Sequence, residues 1–127
     1  MLKESELLVL NHLTLEPQGK GFVAQIARDI GISKGEVSKA VKELKQCGLI
    51  GTEVAGRNVI CSIDRRLPVF TQFRRTFNLL EVIPKIGALR KCAVKIVLFG
   101  SCAQGSDTSK SDIDLLVIAR DKAAAQK

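Results

Sequence analysis

The sequence predicts an α+β chain built from two small units. Three observations predict it: apolar residues at helical spacing between residues 5 and 46, two β-rich runs around a short Gly-containing turn at 49–63, and two continuous apolar runs bracketing a loop of small residues at 94–118. The first two belong to one unit and the third to the other.

Ser5 to Leu15 reads as a helix, with Leu7, Leu10 and Leu13 on one side, Leu8 adjoining them, and Glu6 and Asn11 facing out. Pro17-Gln18-Gly19-Lys20-Gly21 breaks it. A second, short helix spans Phe22 to Ile30, apolar at Val23, Ile26, Ala27 and Ile30, and Gly31-Ile32 turns the chain. Ser33-Lys34-Gly35-Glu36 has the Ser-x-x-Glu form in which the Ser side chain caps the first turn and the Glu returns the bond. The third helix so opened points Val37, Ala40, Val41 and Leu44 inward, and Gly48 stops it. Leu49–Val54 and Val59–Ile63 then form a hairpin around Ala55-Gly56-Arg57-Asn58.

Helix, tight turn, capped helix and hairpin follow one another as in a winged helix-turn-helix, and residues 1–66 resemble the DNA-binding domains of the MarR and ArsR type of transcriptional regulator. Lys34, Ser38, Lys39, Lys42 and Lys45 lie off the apolar stripe of the third helix. Against double-stranded DNA the lysines would hold phosphates and Ser38 would touch a base edge, while Arg57 at the wing tip would enter a minor groove. The competing reading is a solvated helix face on a winged helix used for protein contacts. A homodimer would suit the reading of two half-sites.

Residues 67–92 form connecting helices. Arg65-Arg66-Leu67-Pro68 marks the boundary, and Pro68 suits a first helical turn. Val69 to Leu80 carries Phe70, Phe73, Phe77 and Leu80 at helical intervals, a core stripe with Arg74 and Arg75 on its other side. A further helix is expected from about Pro84 to Cys92, with Ile86 and Leu89 inward.

Residues 93–127 hold the densest chemistry. Ile96 to Phe99, stopped by Gly100, and Leu115 to Ile118 read as strands buried on both faces. Alternation puts Asp112 and Asp114 on one face, roughly 7 Å apart along a strand, where two carboxylates can share divalent ions. Gly100 lets backbone approach a ligand, and Ser101 offers a hydroxyl and an N–H to a triphosphate. The alternative is an ordinary strand capped by two acids beside a turn.

Gly100-Ser101, Gly105 and Ser111-Asp112-Ile113-Asp114-Leu115 with Val117 resemble the signature of the DNA polymerase beta type of nucleotidyltransferase, especially its minimal, stand-alone branch. The resemblance implies that Gly100, Ser101, Gly105 and Ser111 hold a nucleoside triphosphate. It implies too that Asp112 and Asp114 are catalytic and bind Mg²⁺ for transfer of a nucleoside monophosphate to a hydroxyl. Cys102 and Gln104 stand where the family often has a basic residue. The family's third carboxylate lies on a later strand, whereas the tail Arg120 to Lys127 adds only Asp121, so the expectation is either that the chain is a piece of a longer protein or that its catalytic set is incomplete. Small members of the branch commonly act on a HEPN-domain toxin, which makes antitoxin-like modification one version of the activity. A non-catalytic nucleotide-sensing or dimerising module is the rival class.

Composition bounds these readings. The chain has 127 residues, 46% apolar, and a net charge of +7 that favours an anionic partner. Residues 1–68 hold ten Lys/Arg against eight Asp/Glu and residues 69–127 ten against five, so the excess is not concentrated in the N-terminal half. Cys47, Cys61, Cys92 and Cys102 are irregularly spaced with only His12 to join them, which suits small buried hydrophobes better than a zinc site or disulfide framework. MLKESELL is not a signal peptide and no run reaches membrane-spanning length, so a cytoplasmic protein is expected.

Overall fold

The computed structural model describes residues 2–91 and 93–119. The chain divides into two compact units, Met1–Leu67 and Pro68–Lys127.

The first unit runs α1 (Glu4–Leu15), β1 (Lys20–Phe22), α2 (Val23–Ile30), α3 (Lys34–Gln46), β2 (Gly51–Ala55) and β3 (Asn58–Ser62). The strands form an antiparallel sheet in the order β1-β3-β2. In α3 the Ser33 hydroxyl accepts the Glu36 N–H at 3.1 Å, and Val37, Ala40, Val41 and Leu44 are all buried. Gly48, at φ 77°, reverses the chain as Leu49 N–H returns to the Leu44 carbonyl. The wing pairs Ala55 with Asn58 across the two-residue turn Gly56-Arg57, with Gly56 at φ 64°.

Two features differ from expectation. On α1 the buried face is Glu6, Val9, Leu10, Leu13 and Thr14, while Leu7 and Leu8 are half-buried. Glu6 turns inward because its carboxylate accepts the Lys3 backbone N–H at 3.0 Å, capping the helix it belongs to. The glycine-rich break also contains β1. Three residues carry no alternation to read; the strand exists because β3 offers an edge, pairing Gly21 with Cys61, and Ile63 N–H reaches the Gly19 carbonyl at 2.9 Å.

The second unit runs α4 (Pro68–Lys85), α5 (Gly87–Arg90), β4 (Ala93–Phe99), α6 (Ser101–Gln104) and β5 (Asp114–Ala119). Helix α4 contains Pro84 one residue before its end, so the helical bond that the missing N–H removes falls at the terminus of the helix, and α5 is a single turn. The expected end of that helix at Cys92 lies outside the described residues, as does the tail from Arg120 with Asp121. Strands β4 and β5 pair antiparallel, Phe99 with Asp114 and Val97 with Leu116. They are not buried on both faces: Val94 is 65% and Leu116 52% exposed, because two strands alone cannot cover alternate side chains. Nor does Leu80 face inward; α4 instead buries Phe70, Arg74, Asn78 and Val82, with Phe73 and Phe77 half-buried and stacked at 5.1 Å. Of the cysteines, Cys61 and Cys102 are buried and Cys47 is exposed. Among the described residues no helix is long and apolar enough to cross a membrane.

Candidate functional site

In the first unit α3 carries five exposed candidates, Lys34, Ser38, Lys39, Lys42 and Lys45. Steps of four, four and three residues put Lys34, Ser38, Lys42 and Lys45 on one stripe. Lys34 and Ser38 share a small cleft with Arg57 and Asn58 of the wing and with Phe22 and Val23 at the start of α2. Helix and wing thus present one basic, hydroxyl- and amide-bearing surface. Lys45 is tied back to β2, its ammonium donating to Thr52 Oγ1 at 2.9 Å. Lys39 falls on another face, in a groove lined by Lys3, Glu6, Glu36 and Glu43, where carboxylates screen it from a polyanion. Asn58 was not singled out by its sequence; its position just after a two-residue turn was the available signal.

In the second unit Gly100 adopts φ 76°, ψ −158°, open only to glycine. A Cβ there would run into the Asp114 carboxylate, so the glycine backbone and Asp114 are in direct juxtaposition. Ser101 begins α6, and the turn closes as Gln104 N–H returns to the Gly100 carbonyl and Ser106 N–H to that of Ser101. Gly105, at φ 75°, presses on the Thr71 carbonyl of α4, where any Cβ would collide with backbone. Ser111 Oγ accepts the Thr108 N–H at 2.9 Å, so it shapes the loop between α6 and β5. Asp112 and Asp114 are both exposed, but β5 begins at Asp114. Asp112 therefore precedes the strand instead of alternating within it, its carbonyl accepting the Cys102 thiol at 3.5 Å.

The residues missed from sequence are those beneath this turn. Arg74, expected on the outer side of α4, is 3% exposed and forks onto Asp107, Nη2 to Oδ2 at 2.8 Å and Nε to Oδ1 at 3.3 Å. Asn78 Oδ1 accepts from Arg74 at 2.9 Å; its Nδ2 donates to Asp107 Oδ1 at 2.9 Å and to the Cys102 carbonyl at 3.1 Å. Arg75 donates to the Ala103 carbonyl at 2.9 Å from the helix surface. The strict four-residue spacing of Phe70, Arg74, Asn78 and Val82 was the signal, read instead as a phenylalanine stripe. Burial raises the Cys102 thiol pKa, with the Asp107 charge adding to it, so the thiol remains a donor at neutral pH.

Two exposed carboxylates beside a glycine-opened backbone form a hard oxygen donor set. It fits Mg²⁺, which takes one or two carboxylates and completes its shell with water and phosphate oxygens. Among the described residues no group of three or more His, Cys, Asp or Glu is placed to hold a metal.

The protein is of mixed α+β class, with helices and an antiparallel sheet arranged in its first unit as in a winged helix, and part of its second unit matches a nucleotidyltransferase family model. Residues 81–127 match the family model described as Polymerase beta, Nucleotidyltransferase. No curated protein matches the chain. Among solved structures it is similar to Bordetella bronchiseptica BpsR, described for the regulation of its DNA binding by 6-hydroxynicotinic acid. The TM-score is 0.52 at 18% identity, covering 69% of this chain and 63% of that one. It is also similar to Lactococcus lactis ZitR, a zinc-responsive MarR family member, with TM-score 0.45 and 22% identity over 72% of this chain and 76% of that one. At such identity the BpsR likeness shows the fold alone, and the present chain spans less than two thirds of that protein's length.

Proposed function

We propose that this protein is a DNA-binding transcriptional regulator whose second unit binds a nucleoside triphosphate with Mg²⁺. The observation that carries the DNA reading is the cleft in which Lys34 and Ser38 of α3 meet Arg57 and Asn58 of the wing. A helix and a wing tip contributing cations to one surface suit a groove flanked by phosphates. The fold likeness to BpsR, a protein with regulated DNA binding, supports the same reading. Lys34, Lys42 and Arg57 would contact phosphates or the minor groove, and Ser38 a base edge. Two copies would read two half-sites.

In the second unit, Gly100 and Ser101 would take the triphosphate and Asp112 and Asp114 the Mg²⁺, as supported by the Asp114 carboxylate lying against Gly100. Mg²⁺, when bound, would neutralise phosphate charge and favour displacement at the α-phosphate. Ser101 orients the triphosphate, Gly105 keeps the turn against α4, and Ser111 holds the following loop. The acceptor would be a hydroxyl, on a HEPN-type protein in one version, its oxygen bonding to the α-phosphorus as pyrophosphate leaves. A second reading, nucleotide binding without transfer, is favoured by the donor set, since Asp112 and Asp114 have no third acidic group gathered with them among the described residues.

The test is fluorescence anisotropy with duplex DNA at several salt concentrations, beside calorimetry with ATP with and without Mg²⁺. Arg57→Ala and Lys34→Ala should each weaken DNA binding and lower the salt slope by about one, whereas Lys39→Ala should leave both unchanged. Equal affinity for all three variants would remove the cleft from the interface. Mg²⁺-dependent saturable ATP binding, lost in Asp112→Ala and Asp114→Ala, is the expected calorimetric result.

A further inference from the structure

Beneath the Gly100–Gly105 turn lies an ion pair that the proposed chemistry does not use. Arg74 and Asp107 are each 3% exposed and Asn78 5%, in a unit whose strands leave large apolar side chains in solvent. A buried ion pair is weak evidence of a stability role, because desolvation offsets most of its attraction. Its geometry is what sets it apart: the network reaches the turn at one defined point. Asn78 carries both ends, accepting from Arg74 and donating to Asp107 and to the Cys102 carbonyl, in the middle of α6. From Cys102 the thiol goes on to the Asp112 carbonyl. A continuous set of hydrogen bonds therefore runs from α4 through the turn to the backbone of a candidate metal-binding carboxylate. Arg74, Asn78 and Thr71 all precede the segment that matches the nucleotidyltransferase family model, so α4 supplies from outside that segment the floor on which its turn rests.

We infer that Arg74, Asn78 and Asp107 are positioning residues for nucleotide binding, holding through Cys102 the Gly100–Gly105 turn and the Asp112 backbone in the ligand-ready arrangement. This inference rests on the nucleotide-site reading proposed above. It makes affinity, and not only folding, depend on side chains that never touch the ligand.

The test uses the full chain, Mg²⁺-ATP as probe, and three readouts: calorimetric affinity, amide hydrogen exchange at Gln104 and Ser106, and melting temperature. Asn78→Leu keeps the Arg74–Asp107 pair but removes the bond to the Cys102 carbonyl. It should weaken Mg²⁺-ATP binding about tenfold, as loss of a ligand-orienting partner does, and speed exchange at both amides at a temperature where the variant remains folded. Cys102→Ser, which keeps a donor, should bind close to wild type, whereas Cys102→Ala should not. Should Asn78→Leu fail to fold, the paired Arg74→Met/Asp107→Leu variant removes the two side chains that orient Asn78 without leaving a lone buried charge, and carries the same expectation. Wild-type binding with unchanged affinity in the folded variants would overturn the inference while leaving the nucleotide site standing. Absence of binding by the wild type would overturn the nucleotide reading and this inference with it.

Discussion

The two units solve the same problem differently. The first, among its described residues, buries thirteen apolar side chains, with Val9, Leu13, Ile26, Val37, Leu44 and Cys61 at 0% exposure, beneath three helices and a three-stranded sheet. The second, among its described residues, buries Phe70, Val82 and Cys102 together with Arg74, Asn78 and Asp107, while Val94, Leu116 and Ile118 of its two strands stay about half exposed or more. Apolar burial is non-directional and tolerates local repacking; a hydrogen-bonded charge network is directional and fails when one member is removed. The first unit is therefore held by area, and the second holds its turn by geometry.

The comparison is broken most easily at Arg74. Arg74→Met leaves the buried Asp107 carboxylate without its neutralising guanidinium and should cost the second unit about 3–5 kcal/mol, whereas the paired Arg74→Met/Asp107→Leu change should be close to neutral. Urea unfolding followed by residue-resolved NMR separates the two units, and a double-variant loss equal to the sum of the Arg74→Met and Asp107→Leu losses would mean that the pair is not coupled. In the first unit Leu44→Ala, at a site with 0% exposure, should cost about 3 kcal/mol through lost burial and the cavity left behind. That loss should appear only in the amides of residues 2–67.

A pH scan sharpens the contrast further. Burial pushes the Cys61 thiol up to about 11 from an ordinary value of 9.0. The folded state thus holds the proton more tightly than the unfolded one. The contribution is fully present below pH 9.0 and is lost as pH rises towards about 11, on the order of 2 kcal/mol. Cys61→Val should flatten the alkaline loss in the first unit, and the same slope in both proteins would assign it to another group. The smallest effect is expected from Ser33→Ala, about 1 kcal/mol from the lost cap on α3, measured by the same unfolding experiment.

Much of this was legible along the chain. The Ser33–Glu36 cap, the α3 stripe and the hairpin at Gly56-Arg57 are set by contacts between residues no more than a few positions apart. The candidate turn was legible for the same reason, since Gly100 and Gly105 mark backbone conformations that a side chain would strain. Where local pattern and burial diverged, as with Glu6 on α1 and Arg74 on α4, helical periodicity placed a charged residue outside and a distant or capping partner drew it in.

By itself, then, the sequence determined the element order apart from β1, the capped third helix, the wing, and the glycines and carboxylates of the turn, because each depends on neighbours in the chain. Only tertiary structure decided that Lys34 and Ser38 share a cleft with Arg57 while Lys39 does not. It alone brought Asp107 to Arg74 across 33 residues and added β1 to the edge of β3. The reason is physical: a buried charge is tolerable only beside its partner, and a three-residue strand only beside an open edge. Neither the partner nor the edge is written in the residues next to them.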